Sequence, residues 1–199
     1  MNNTIWTFGD SFTHGNGCLV NEIYPTQYKK SDEDKIWPEI VADKLNFQLK
    51  NMGAGLFSND KIIDSIIENY KYIHKKDLVI IGNTFYSRFD IPYEGKLITL
   101  STVNLPKNSN KLLNDIIVIM DDVLLKNRQL KRISFIKSLL ETKGVTCIIW
   151  EVEKEWMDYE NIQYASSDKI IDLHWSYKGH LDFSNYILNK IKTETNKLI

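Results

Sequence analysis

Asp77-Leu78-Val79-Ile80-Ile81-Gly82 is the stretch that decides the fold. A continuous apolar run, rich in β-branched residues and stopped by glycine, fits a strand covered on both faces, as in parallel sheets. Toward the amino terminus, Thr4-Ile5-Trp6-Thr7-Phe8 repeats the pattern, and Phe47-Gln48-Leu49-Lys50-Asn51-Met52 alternates before Gly53-Ala54-Gly55. Toward the carboxyl terminus, Val145-Thr146-Cys147-Ile148-Ile149-Trp150 supplies a fourth strand, and Ile162-Gln163-Tyr164 reads as a short fifth.

Helical spacing fills the intervals. Ile36 to Leu45 has apolar residues at helical positions, with Pro38 tolerable in a first turn. Ser58-Asn59-Asp60 is a plausible cap for a helix to about His74, with Ile62, Ile63, Ile66, Ile67 and Tyr70 on one face. Helical periodicity returns from Leu112 to Leu140 with a break, and Ser176 to Leu198 reads as a closing helix. Strand and helix alternate throughout, which predicts one three-layer α/β domain over residues 1–199. Residues 14–35 and 151–160 read as surface loops. The segment at about 83–110, holding Pro92, Gly95 and Pro106, reads as a long irregular insertion, a kind of loop that is usually functional or mobile.

Composition narrows the classes. Of 199 residues, 43% are apolar and 26% charged, with a formal net charge of −1. Nothing there favours nucleic acid or an anionic membrane as partner. The start, Met-Asn-Asn followed at once by a strand, shows no secretory pattern, and no run approaches a membrane span. The expectation is a cytoplasmic or phage-associated protein without membrane insertion. Cys18 and Cys147 read as free thiols. The histidines lack ligand spacing and the glycines lack phosphate-binding patterns, so neither metal nor cofactor is expected.

The chemistry gathers at the two ends of the chain. Gly9-Asp10-Ser11 follows the first strand, and ligands in open α/β sheets sit at that end of the strands. Ser11 is a nucleophile only if a base and an orienting carboxylate reach it. Asp172 and His174 are the candidates: at spacing two on extended chain both side chains leave on one side. In the bland alternative Ser11 caps a helix, Asp172 caps a turn and His174 is a surface residue.

Gly9-Asp10-Ser11, with Asp172, His174, Gly179 and His180, resembles the SGNH hydrolases, also called the GDSL-like esterase family. The last block is similar to the Asp-x-His form that some members show in place of Asp-x-x-His. The resemblance spans residues 4 to about 190 and implies a mainly parallel five-stranded sheet of flavodoxin-like order 2-1-3-4-5. It implies a Ser11-His174-Asp172 triad that cleaves esters through an acyl-enzyme, with His180 structural. It also implies an oxyanion hole made by the Ser11 N–H, a glycine N–H after the second strand and an asparagine side chain after the third. Gly55 fits the second donor better than Gly53, since Ser58-Asn59-Asp60 resembles a sequence seen after the family's glycine. Where the family has Gly-x-Asn-Asp, this chain has Gly82-Asn83-Thr84-Phe85. Asn83 is therefore the expected third donor, with Thr84, or no side chain at all, as alternatives.

On the substrate side, Asp10, His14, Arg88 and Trp175 are the expected contacts. Phe85, Tyr86, Phe89 and Tyr93 surround Arg88, and Trp150, Trp156 and Trp175 fall on segments of the same rim. Such aromatics stack on sugar rings or else pack the core. The resemblance makes O-acetyl groups on a carbohydrate the first substrate to test, with short-chain lipid esters, thioesters and acyl transfer behind. A catalytically weak module binding a glycan or a protein partner is the reading from another class, and the oligomeric state stays open.

Overall fold

The structure is a computed structural model that describes residues 3–15, 35–101, 111, 115–116, 121–155, 161–163 and 171–196. Four strands, β1 (Thr4–Phe8), β2 (Gln48–Asn51), β3 (Leu78–Asn83) and β6 (Thr146–Glu151), form one parallel sheet in the order β2-β1-β3-β6. The register sets Ile5 beside Leu78 and Leu78 beside Thr146, so the carboxyl ends of β1, β3 and β6 finish together.

Side-chain alternation along these strands builds two cores. Ile5, Leu78, Ile80, Ile148 and Trp150 face α2 (Trp37–Leu45) and α6 (Tyr177–Asn196), packing on Trp37, Val41, Phe183 and Ile187. Trp6, Phe8, Val79, Ile81 and Cys147 face α3 (Asn59–Asn69) and α4 (Asp122–Thr142), packing on Ile62, Ile66, Ile133, Ile136 and Leu140. The sheet is thus covered on both faces, as continuous apolar strands require. Two tryptophans carry much of the first core: Trp150 lies 6.1 Å from Trp37 and 5.7 Å from Trp175, ring centre to ring centre.

The helix starts follow the sequence logic. Pro38 occupies the first turn of α2, where the Glu39 carboxylate accepts the Ile36 N–H at 2.9 Å. Ser58 caps α3 by accepting the Lys61 N–H at 3.1 Å. That helix stops at Asn69 and passes into a single 3₁₀ turn, Tyr70–Tyr72.

Three expectations are corrected. The main sheet has four strands among the described residues, not five. The described part of the expected fifth strand, β7 (Asn161–Gln163), pairs antiparallel with β8 (Ile171–Trp175) in a separate ribbon. Its three residues, a single isoleucine between Asn161 and Gln163, lack the apolar run that a doubly covered strand needs. Consequently Asp172 and His174 lie on a strand of that ribbon. The insertion is not irregular over its described part: β4 (Arg88–Tyr93) and β5 (Lys96–Ser101) form an antiparallel hairpin. Its turn places Glu94 at φ 47° and Gly95 at φ 72°, both left-handed, the geometry that matches strand twist in two-residue hairpins. The segment after β6 opens with a short helix, α5 (Val152–Glu155). Trp156 and Cys18 lie outside the described residues. Among those described, no helix is long and apolar enough to cross a membrane.

Candidate active site

The chain leaves β1 through Gly9 and turns at once into α1 (Ser11–His14). A side chain at Gly9 would collide with Thr13 Oγ1, its Cβ lying 2.1 Å away, so only glycine permits this turn. Asp10 caps α1, its Oδ1 accepting the Phe12 N–H at 3.1 Å. Gly15, at φ 86°, ends the helix by donating its N–H to the Ser11 carbonyl. Ser11 is therefore the first helical residue, fixed at both ends of a single turn and 7% exposed.

From the far end of the chain, β8 brings His174 to the same corner. The His174 ring lies 5.3 Å from that of Phe12, the residue after Ser11, and Trp175 lies 4.9 Å from it. His174 is half-buried. Asp172 stands two residues earlier on the same strand, and its side chain is outside the described part of the structure. His180, in the first turns of α6, sits edge-on to Trp175 at 5.6 Å. Burial, together with the nearby His174, pushes its pKa down to about 3, so it is a neutral packing group near pH 7.

The oxyanion candidates separate on their existing bonds. Gly53 packs against the backbone of Thr13 and His14, and its N–H donates to Asn51 Oδ1 at 3.0 Å. That donor is already engaged. Gly55 follows in a turn, just after the Ala54 N–H donates to the Gly9 carbonyl at 3.2 Å. This bond holds the 53–55 segment against the serine turn. Both Thr84 donors are engaged as well: the N–H goes to Asn59 Oδ1 at 2.9 Å and the hydroxyl to Asp10 Oδ2 at 2.6 Å. Asn83 ends β3 with 1% exposure, and its Oδ1 is buried without a hydrogen-bond partner among the described residues. A buried acceptor without a partner costs free energy, but it is the Nδ2 donor, not this oxygen, that an oxyanion would need.

The expected substrate contacts fare unevenly. His14 ends α1 at partial exposure. Asp10 is fully buried beneath the serine, its carboxylate taken by Phe12, Thr84 and Arg88. Trp175 is fully buried in the aromatic cluster. Tyr86, Phe89 and Trp150 are buried too, which is the packing alternative for these rings rather than a sugar-stacking rim. Phe85 and Tyr93 are half-buried. Arg88 turns inward, its Nη1 donating to Thr84 Oγ1 at 3.0 Å and to the Phe57 carbonyl at 3.1 Å.

Sequence reasoning missed a polar clamp behind the serine. Asn59, fully buried, brackets Thr84: besides accepting its N–H, it donates Nδ2 to the Thr84 carbonyl at 3.1 Å. The same Nδ2 reaches Gln129 Oε1 on α4 at 2.8 Å. Asn59 had a local explanation as part of a helix cap, and only the tertiary pairing with Thr84 exposes its second role. Among the described residues, no group of three His, Cys, Asp or Glu side chains could hold a metal ion.

Together these features define a three-layer α/β protein with a serine turn at the carboxyl end of its first strand and a histidine packed on the phenylalanine that follows the serine. No family model and no curated protein sequence matches the chain. Among solved structures, it is similar to a member of the lipolytic protein G-D-S-L family from Veillonella parvula. The two share 18% identity over 97% of this chain and 74% of that one, with a TM-score of 0.40. A carbohydrate esterase is also similar, at 13% identity over 96% of this chain and 68% of that one, with a TM-score of 0.42. At such values the residues of the site have to carry any functional reading.

Proposed function

We propose that the protein is a serine esterase acting on small acyl esters. The observation that supports this reading is the contact of the His174 ring with Phe12, the residue after Ser11, which brings a histidine 163 positions further along the chain (174 − 11) to the helix that Ser11 begins. In the proposed reaction Ser11 Oγ attacks the ester carbonyl carbon while His174 takes the hydroxyl proton. Asp172 holds the imidazole and stabilises its charged form. The oxyanion meets the N–H groups of Ser11 and Gly55 and the Asn83 amide, donors of a kind worth about 2.7–4 kcal/mol each. His174 then gives its proton to the leaving alcohol, and the C–O bond to that alcohol breaks. Water, deprotonated by His174, attacks the acyl-Ser11 carbonyl; the C–Oγ bond breaks, the acid leaves, and His174 returns the proton to Ser11 Oγ.

O-acetyl groups on a carbohydrate are the substrate class we put first. The test is acetate release from a panel of acetylated sugars, an aryl acetate and short-chain lipid esters, each measured beside Ser11→Ala. The reading expects turnover of at least one acetyl ester and none by the variant. A specific observation favours a second reading, a weakly catalytic binding module: both Thr84 donors are engaged where the family pattern places its asparagine. Binding of a glycan by folded protein that turns over no ester in the panel would select that second reading.

A further inference from the structure

We infer that Arg88, reaching in from the β4–β5 hairpin, is a positioning residue for the nucleophile turn, acting through the carboxylate of Asp10. The inference rests on the esterase reading of Ser11 and adds to it a part of the site supplied by the insertion. Its geometry is a short chain of contacts. Arg88 Nη1 meets Asp10 Oδ2 at 3.4 Å and Thr84 Oγ1 at 3.0 Å, and Thr84 in turn donates to the same Oδ2 at 2.6 Å. The other carboxylate oxygen caps the turn that Ser11 begins. Arg88 is itself held, by the Phe57 carbonyl on its guanidinium and by Gln129 Nε2 on its backbone carbonyl at 3.4 Å.

The physical need for a cation here is plain. Asp10 is 0% exposed, and a buried carboxylate takes up a proton unless charge and hydrogen bonds favour the ionised form. Burial does push the Asp10 pKa up, and the Thr84 hydroxyl, Arg88, the Phe12 N–H and His174 act against that rise. The charged or titratable side chains acting on Asp10 are Arg88 from β4 and His174 from β8. Of these, Arg88 holds its charge across the working pH range, whereas a catalytic His174 changes charge during each turnover. Arg88 is thus the permanent charge that favours an ionised cap through the cycle. A protonated Asp10 loses acceptor strength toward both Phe12 and Thr84, and in α1, only four residues long, the Asp10 carboxylate is the side-chain cap of the turn that Ser11 begins.

The test follows Ser11 labelling by a fluorophosphonate between about pH 5 and 9 for wild type, Arg88→Met, Arg88→Lys and Arg88→Ala. The Asp10 carboxyl is titrated in parallel by carbon NMR, assigned with Asp10→Asn. In Arg88→Met the Asp10 midpoint is expected to rise by about one pH unit or more, and labelling to fall by about tenfold near pH 6. That deficit shrinks as pH rises and Asp10 ionises again. Arg88→Lys restores most of the rate, and sub-denaturing guanidinium ion speeds Arg88→Ala while leaving wild type unchanged. A merely structural role would lower labelling by one factor at every pH and leave the Asp10 midpoint unmoved. That result overturns the inference. Should Arg88→Met not fold, Arg88→Lys carries the same titration, with a smaller shift in the same direction, and no shift there counts against Arg88. If folded wild type does not label at all, the esterase reading falls by itself, and the Asp10 titration still decides whether Arg88 sets its charge.

Discussion

Replacing His174 with alanine is expected to slow acylation of Ser11 by about a thousandfold or more while the protein stays folded. A serine hydroxyl near neutral pH is a weak nucleophile, and its attack needs a partner that accepts the proton as the bond forms. His174 is the proposed partner, carried by β8, which pairs with β7, and packed against Phe12 beside Ser11 in sequence. His14 and His180 do not compete for the role. His14 is on the last position of the serine's own helix, and His180 is buried and neutral, with its Nδ1 unpartnered among the described residues. The core residue of this pair is Trp175, while His174 is half-buried, so the fold is expected to survive the substitution. Acylation rates with an aryl acetate, compared at equal folded concentration, check this outcome. A loss of less than about tenfold would mean that some other group activates Ser11.

Replacing Trp150 with alanine is expected to cost about 3–5 kcal/mol of folding stability, the range for deleting a large aromatic from a packed core. Trp150 is 1% exposed and stands at the meeting point of the sheet with both elements of its α2/α6 face. Its ring lies 4.7 Å from that of Phe183, in addition to the contacts with Trp37 and Trp175. Gly82 leaves room for it: a Cβ there would come within 2.6 Å of the indole. The cavity left by alanine is therefore walled by a backbone and by other large rings, none of which can collapse into it cheaply. One term runs the other way, since the Trp150 Nε1 is buried without a partner among the described residues and its removal relieves that cost. For a chain of this size the loss corresponds to a melting temperature lower by roughly 6–20 °C. A loss below about 1 kcal/mol in denaturant unfolding would show that the cluster is not the packed centre of this face.

How much of this was legible in the chain depends on how local the determining signal is. The four sheet strands carry their own signal: Leu78 to Ile81 cannot be satisfied except between two apolar layers, and the alternation at Ile5 and Trp6 assigns each residue to a face. The turn at Gly9 was legible for the same reason, but the sequence reading offered Ser11 as the cap and Asp10 as a substrate contact, whereas Asp10 is the residue that caps α1. The β4–β5 hairpin was not. Its strands include Arg88, Asp90 and Pro92, which weaken any strand pattern, and its turn is a Glu-Gly pair rather than the stronger Asn-Gly. Pro92 is tolerated because a two-stranded ribbon has only edge strands. The pairing of β7 with β8 joins short polar segments whose choice of partner is made elsewhere in the fold.

The site divides along the same line. Ser11 follows directly from a sheet strand, whereas His174 reaches Phe12 from the separate β7–β8 ribbon. The contacts that define their surroundings link residues far apart, Asp10 to Thr84 across 74 positions and Asn59 to Gln129 across 70. No periodicity records such pairs. Arg88 shows the consequence: its charge was visible in the sequence and suggested an anionic substrate, whereas the fold turns it inward onto a buried carboxylate. The aromatic residues near it changed meaning too, from a candidate binding rim to the packing that seats the hairpin on α4 through Phe89, Leu100 and Leu125.

The measurement that bears most directly on an activated Ser11 is the intact mass of the folded protein after exposure to a fluorophosphonate, followed by peptide mapping. The account predicts a single adduct on Ser11, absent from Ser11→Ala and strongly slowed in His174→Ala. A folded wild-type protein that forms no adduct, or an adduct that persists in Ser11→Ala, would contradict it.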